Sequence, residues 1–109
     1  MTKEEIQLLS FSIIADSGEA KDFYVRAVKA AEKYDFEECD RLLRDGDKCI
    51  IKAHQSQTEL LNAEVNGEDL PFSIILIHSQ DHLMTTMSYE QSAKDTINVY
   101  KKLASIEKR

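Results

Sequence analysis

The sequence contains few of the residues that interrupt helices. Its 109 residues include one proline and three glycines. Because these two residue types break regular structure most strongly, their scarcity favours long, continuous helices. Apolar residues make up 42% of the chain and charged residues 31%, which is typical of an ordered, soluble protein. A chain of this length buries a single core, so we predict one domain spanning residues 1–109.

The sequence also lacks a membrane-spanning segment and a secretory leader. No apolar run approaches the ~20 residues needed to cross a bilayer. Residues 2–5 are polar or charged, whereas a leader begins with a basic region followed by an apolar one. The formal charge of −6 makes nucleic acid and anionic lipid unfavourable partners. We therefore expect a cytoplasmic protein that binds no nucleic acid and does not insert directly into a membrane.

Cysteine is scarce as well, with only Cys39 and Cys49 present. If both lie on one helix, they are separated by ~15 Å along its axis, whereas a disulfide needs Cα atoms within roughly 7 Å. They therefore cannot pair with each other, and their spacing supports neither a redox pair nor a metal site. We expect two small, buried, apolar groups.

Apolar residues recur at steps of three and four over most of the chain, which predicts helices at roughly 3–33, 36–66 and 71–106. Thr2 and Glu5 have the spacing of a capping box at the start of the first helix. Ser17-Gly18 interrupts its apolar pattern, so we expect a local bend there or a close approach of a neighbouring backbone. The fold class that follows is all-α, an antiparallel three-helix bundle.

The ends of the second and third helices carry their own markers. Asp35 is a good N-cap, and Glu38 is spaced to return a hydrogen bond to it. Gly67 supplies the left-handed conformation that ends the second helix, and Pro71 is tolerated in the first turn of the third. The side of the second helix that we expect to face the core consists of Phe36, Cys39, Leu42, Leu43, Ile50, Ala53, Leu60 and Leu61.

The first half of the third helix is apolar on nearly all sides. Leu76 and Leu83 share one face, whereas Ile77 and Met84 project from another. Such a helix must be buried almost all round, but a bundle of three helices covers only one side of each. We therefore infer a homo-oligomer with this segment at its centre.

Polar residues with reactive side chains lie inside this apolar segment. Helical spacing puts His78, Asp81, His82 and Thr85 along one side. They could hold a metal through two imidazoles and a carboxylate, although the set is incomplete unless His54 joins it. They could equally form a buried polar network that fixes packing register.

A third possibility is nucleophilic catalysis by histidine. A neutral imidazole can attack phosphorus near pH 7, provided that nearby donors stabilise the phosphoryl oxygens. Ser79, Gln80, His82 and Thr85 could supply those donors. On the second helix, His54 and Gln57 interrupt the apolar side, either as an interhelical hydrogen bond or as support for the His78 site.

Asp81 raises a separate question if it faces the axis of an oligomer. Symmetry would then bring several carboxylates together in apolar surroundings. Their repulsion would raise the carboxyl pKa or demand a cation, and a shared divalent ion with oxygen ligands would satisfy them.

Three stretches of the sequence resemble one protein family over essentially the whole chain. They are residues 53–61, residues 70–73 and residues 77–84, the last with a His-x-Gln-Asp-His-Leu-Met core. The chain is similar to the enzyme IIA component of the lactose/cellobiose (N,N'-diacetylchitobiose) class of the bacterial sugar phosphotransferase system. Ser79 departs from the family pattern, in which a small alanine or glycine is more familiar.

The resemblance implies a homotrimer of three-helix bundles in which His78 is the transient phosphohistidine. It implies that Asp81 binds one magnesium-type ion shared by three subunits. The phosphoryl donor would be the histidine-containing phosphocarrier protein, and the acceptor would be a cysteine of enzyme IIB during uptake of a β-linked disaccharide. The alternative from the residues alone is a non-enzymatic helical adaptor or metal-binding bundle with structural histidines. The sequence does not encode the choice of sugar.

Overall fold

Three long helices account for most of the chain in the computed structural model, which describes residues 1–108. They are α1 (Lys3–Glu32), α2 (Phe36–Val65) and α3 (Ile74–Glu107), and this part of the chain contains no strand. The helices pack lengthwise into a bundle that measures 61 × 19 × 18 Å. The all-α class and the three-helix bundle are thus confirmed. Within the described residues, no helix is both long and apolar enough to cross a membrane.

Helix α1 is the central element of the bundle. It packs along both α2 and α3, whereas α2 and α3 approach each other much less closely. Its buried residues follow alternating steps of four and three, which is the heptad spacing of a helix packed along its whole length. These residues are Ile6, Ser10, Ile13, Ser17, Ala20, Tyr24, Ala27 and Ala31.

The capping hydrogen bonds that the sequence predicts are all present at the start of α1 and partly present at the start of α2. Thr2 and Glu5 make the reciprocal hydrogen bonds of a capping box. The Asp35 side chain accepts from the backbone N–H of Glu38 at 3.3 Å, so it is the N-cap of α2. Glu38 does not return that bond, because its carboxylate pairs with Arg41 one turn later. Gly67, at φ +92°, ends α2 in the left-handed conformation.

The third helix begins three residues later than expected. Pro71 lies outside α3, and Ser73 is the N-cap, its hydroxyl accepting from the backbone N–H of Leu76 at 3.2 Å. A helix with Pro71 at its first position would need Leu70 as its cap, and leucine has no side-chain acceptor. Ser73 has one, and it therefore decides where the helix starts.

The structure differs from the expectations at two positions. Leu61 is 54% exposed rather than buried, so the apolar side of α2 is wider than the strip that reaches the core. α1 continues without a break through Gly18, and no other backbone approaches this residue, since a Cβ built there would have nothing within 4 Å. The close approach occurs instead at Ser17, whose carbonyl accepts from the Thr86 hydroxyl at 3.3 Å. Cys39 and Cys49 are buried free thiols, as predicted.

A polar cluster that the sequence did not reveal joins all three helices near the middle of the bundle. The buried Tyr24 donates its hydroxyl to Asp47 at 2.6 Å. Lys94 donates to the same carboxylate at 3.2 Å and to Glu90 at 2.7 Å. Gly46 makes room for the Tyr24 ring, because a Cβ at this position would lie 2.7 Å from a ring carbon.

Candidate functional site

The two histidines of α3 form the centre of the candidate site. His78 is exposed and His82 is half-buried, one turn further along the helix. Their rings meet edge to face, with centroids 4.6 Å apart and planes at 90°. This packing restricts the orientation of the His78 ring while leaving it open to solvent. Such a ring is accessible to a reacting group that arrives from outside the protein.

His82 lies on the flank of α3 that borders α1. Seven residues later on the same flank is Tyr89, whose ring lies 5.8 Å from the Lys21 ammonium of α1. His78, one turn before His82, lies further round α3 from the core and is exposed. The bundle therefore supports the inner histidine and exposes the outer one.

Gln80 belongs to a different side of α3. Its amide oxygen accepts from Gln57 Nε2 at 2.6 Å, which links α3 directly to α2. Its own Nε2 donates to Ser79 Oγ at 3.2 Å, and Ser79 Oγ donates to the Leu76 carbonyl at 2.5 Å. The interhelical hydrogen bond that we considered for Gln57 is therefore present. Within one subunit, however, Gln80 faces α2 and not His78.

Ser79 is fully buried, and its position on the core side of α3 could have been predicted from the sequence. It lies four residues before Leu83 and seven before Thr86, both of which are also buried. Helical spacing alone therefore puts the Ser79 hydroxyl on the core side of α3. A small side chain fits this enclosed position.

His54 stands apart from both groups. It is half-buried on α2, one turn before Gln57. Its ring makes no hydrogen bond to another residue among 1–108, in contrast to Gln57. The structure thus brings His78 and His82 together, brings Gln57 and Gln80 together, and leaves His54 beside the second pair.

Asp81 lies on the outer face of α3, exposed, between His78 and His82 in sequence. The same face carries Ile74, Ile77 and Met84, which are 85%, 40% and 57% exposed. No group of three histidine, cysteine or acidic side chains within residues 1–108 is arranged to hold a metal ion. Asp81 is therefore not part of such a group within one subunit.

A shallow cavity of about 190 Å³ lies next to the glutamine pair. Gln57 and Gln80 form part of its wall, and the rest includes Glu64 and the apolar side chains of Leu60, Leu61, Leu70 and Leu76. It follows the gap between α2 and α3, on the opposite flank of α3 from His82. The histidine pair itself lies on an open surface.

The sequence and the fold both match known proteins. Residues 8–101 match the family model described as the lactose/cellobiose-specific IIA subunit of the PTS system. Two "PTS system lactose-specific EIIA component" proteins are similar to this chain. The Staphylococcus aureus protein is 41% identical over 94% of this chain and 99% of its own, and the Lactococcus lactis protein is 43% identical over 94% and 97%.

A solved structure shows the same fold. The cellobiose-specific enzyme IIA from Bacillus anthracis superposes with a TM-score of 0.89 at 35% identity, covering 96% of this chain and 94% of its own. Identity at this level over nearly the full length of each relative is far above what a shared fold alone produces. The chain belongs to the lactose/cellobiose-specific IIA subunit family of the sugar phosphotransferase system.

Proposed function

We propose that the protein is a cytoplasmic phosphocarrier that accepts a phosphoryl group on His78. The donor is the histidine-containing phosphocarrier protein, and the acceptor is a cysteine of enzyme IIB. The observation that carries this proposal is the exposed His78 ring, held edge to face against His82 at a centroid distance of 4.6 Å. Family membership supports a role in sugar uptake, and the names of the relatives support a β-linked disaccharide as the sugar.

The chemistry requires only the imidazole and its surroundings. A lone pair on one ring nitrogen of His78 attacks phosphorus, and the P–N bond to the donor histidine breaks. The bonding pair returns to the donor nitrogen, which takes up a proton, while His78 loses the proton from its other nitrogen. In the second step the thiolate of enzyme IIB attacks the same phosphorus to form a P–S bond. The P–N bond breaks, its electron pair returns to the His78 nitrogen, and the ring takes up a proton to become neutral imidazole again.

His82 is the residue best placed to assist His78. It is one turn away, and its ring already lies against that of His78. We assign it the role of positioning the reactive ring and donating to a phosphoryl oxygen. Gln57 and Gln80 support the site indirectly by fixing α2 against α3, and His54 is a further supporting residue beside them.

Labelling with phosphoenolpyruvate and the general components of the phosphotransferase system tests the assignment. The wild-type protein should incorporate one phosphoryl group, and His78→Ala should incorporate none. His54→Ala is the matched control, because it removes a histidine of the same chain that is half-buried on another helix, and it should retain labelling. Labelling that survives His78→Ala would overturn the site, and a wild-type protein that is never labelled would favour the helical adaptor.

We also propose that the antiparallel bundle assembles as a homotrimer around the outer face of α3. Exposed apolar side chains surround Asp81 on that face, and burying them accounts for a helix that is apolar on several sides. Three copies of Asp81 brought together in this way would repel one another. A magnesium ion, or a similar divalent cation, would satisfy the three carboxylates.

The role of Asp81 can be tested by sedimentation with and without a chelator. Chelation should weaken the wild-type trimer, because it restores the repulsion between the carboxylates. Asp81→Leu should assemble regardless of metal, since it replaces the repelling charge with an apolar group. Asp81→Asn, which keeps the shape and removes the charge, is the control and should also be insensitive to the chelator. A monomeric Asp81→Leu protein would contradict this arrangement.

A further inference from the structure

A second apolar patch lies on α1, outside the bundle core. Leu8 is 68% exposed and Phe11 is 59% exposed, and Ala15 follows one turn later on the same side. We call these three residues the α1 patch. Both side chains leave more than half of their surface in solvent. Contiguous exposed apolar side chains of this kind mark a surface that another molecule covers.

The register between α1 and α3 locates this patch relative to the histidines. The Thr86 hydroxyl donates to the Ser17 carbonyl, and the Lys21 ammonium lies over the Tyr89 ring, so the two helices run in step. Heptad spacing back from these contacts puts His82 beside the stretch around Ile14.

Phe11 and His78 occupy corresponding positions on their two helices. Phe11 lies next to the stretch of α1 around Ile14, on the side away from the core, and His78 lies in the same way next to His82 on α3. Both residues are exposed. They therefore face solvent on the same side of the α1–α3 pair. A protein that reaches the His78 ring from solvent would also cover Phe11.

The α1 patch is distinct from the outer face of α3. Helical periodicity puts Asp81 and Ile77 on the other side of His78 from α1. Assembly through Asp81 would cover that outer face and leave the α1 patch available. His78 thus lies between a surface suited to copies of this chain and a surface that remains for another partner.

The charges around the α1 patch indicate what kind of partner it fits. Over residues 1–22 acidic side chains outnumber basic ones: Glu4, Glu5, Asp16, Glu19 and Asp22 against Lys3 and Lys21. Glu4 and Glu19 are exposed and lie on the same side of α1 as Leu8. A partner with an apolar centre and a basic rim would match this surface in both hydrophobicity and charge.

We propose that the α1 patch is the docking surface for the protein that donates the phosphoryl group to His78. This inference rests on the proposed function and adds the surface and the chemistry of the partner. The partner presents its phosphorylated side chain from a surface that has apolar groups at its centre and lysine or arginine at its edge. Leu8 and Phe11 contact the apolar centre, and the acidic residues contact the edge.

Steady-state phosphoryl transfer from the phosphorylated donor protein tests the surface with Leu8→Ala/Phe11→Ala. We expect KM for the donor protein to rise about tenfold with kcat nearly unchanged, because the variant loses apolar contact area and keeps His78. The matched control is Ile51→Ala/Val65→Ala, which truncates residues of α2 that are 56% and 82% exposed. Both lie outside α1 and outside the outer face of α3, so the control should leave KM unchanged.

Two further measurements distinguish a loss of docking from a loss of His78 reactivity and from a loss of assembly. Phosphoramidate, a small phosphoryl donor that needs no docking surface, should label wild type and Leu8→Ala/Phe11→Ala equally. Sedimentation should show the same assembly for both. An unchanged KM would overturn the docking surface and leave His78 as the phosphoryl acceptor. Loss of assembly in the variant would also overturn it, because the patch would then be covered by a second copy.

The proposed function itself fails on a different result. If neither the donor protein nor phosphoramidate labels wild type, His78 is not the acceptor, and the docking proposal fails with it. If phosphoramidate labels wild type but the donor protein does not, His78 remains reactive, but the proposed donor and the docking proposal are both overturned.

Discussion

At the scale of single residues, the chain combines satisfied and unsatisfied polar groups in one narrow core. Ser10 and Ser17 are both fully buried on α1. The Ser10 hydroxyl donates to the Ile6 carbonyl at 2.8 Å, whereas the Ser17 hydroxyl has no hydrogen-bond partner among residues 1–108. A buried hydroxyl without a partner lowers stability, because it loses its hydrogen bonds to water without replacement.

Ser17→Ala should therefore raise the free energy of unfolding by about 1 kcal/mol, since it removes the unpaired hydroxyl and introduces the best helix former. Urea denaturation with an unchanged m-value would measure the difference. Ser10→Ala is the control and should give a smaller gain or none, because it also removes a hydrogen bond. A Ser17→Ala protein less stable than wild type would show that the hydroxyl makes a favourable contact, for example with a bound water.

Residue patterns predicted the relative positions of the two histidines better than the contacts of the residues around them. Spacing along α3 was enough to put His78 and His82 one turn apart, because both lie on one helix. It could not predict that Gln57 donates to Gln80, since that bond depends on how α2 and α3 meet. The Tyr24 cluster was missed for the same reason. In the sequence, Asp47 is indistinguishable from the other charged residues on the solvent side of α2. In the structure it accepts hydrogen bonds from Tyr24 and Lys94.

At the scale of helices, capping residues determine where each element begins and ends. The sequence predicted the start of α1 and both ends of α2 closely, since Thr2, Asp35 and Gly67 act locally. It placed the start of α3 too early, because Pro71 in a first turn and Ser73 as an N-cap are both acceptable patterns. Only the structure shows that Ser73 accepts the hydrogen bond.

Ser73→Ala tests this assignment through the sign of its effect. If Ser73 is the N-cap of α3, the substitution should lower the free energy of unfolding by about 1 kcal/mol. If the helix began at Pro71, position 73 would be helical and alanine would be neutral or stabilising. Ser73→Asp keeps a side-chain acceptor at the cap and should stay close to wild type. Thermal or urea unfolding of the three proteins measures the difference.

At the scale of the whole molecule, α2 and α3 have few direct connections. They include the hydrogen bond between Gln57 and Gln80, the cluster of Tyr24, Asp47 and Lys94, and the ion pair between Lys101 and Asp40 at 3.7 Å. Burial, reinforced by the hydrogen bond to Asp47, raises the pKa of Tyr24 well above its ordinary value of 10.0. Burial lowers the pKa of Lys94, but its hydrogen bonds to Glu90 and Asp47 outweigh this and leave that pKa raised.

The cluster should make the bundle sensitive to alkali. Both groups have a higher pKa in the folded protein than in the unfolded chain, so folding is favoured most below about pH 10, where both are protonated in either state. The free energy of unfolding should fall as pH rises above that value, because the unfolded chain releases the protons more easily. Urea denaturation at pH 8 and above pH 10 would measure this loss.

Tyr24→Phe should reduce the alkaline loss, because it removes one of the two titrating groups. It should also lower stability at pH 8, since Asp47 loses a hydrogen bond in a partly buried position. An equal loss of stability with pH in Tyr24→Phe and wild type would show that Tyr24 does not contribute to it.

The central position of α1 has a consequence for the order in which the bundle can form. Only residues 33–35 separate α1 from α2. These two helices can therefore pair progressively from the turn, through contacts between residues that are close in sequence. α3 must instead find α1 across a large loop, as the 69-residue separation of Thr86 and Ser17 illustrates. We therefore expect the helix that carries His78 to dock last, on a pair of helices that α1 and α2 have already formed.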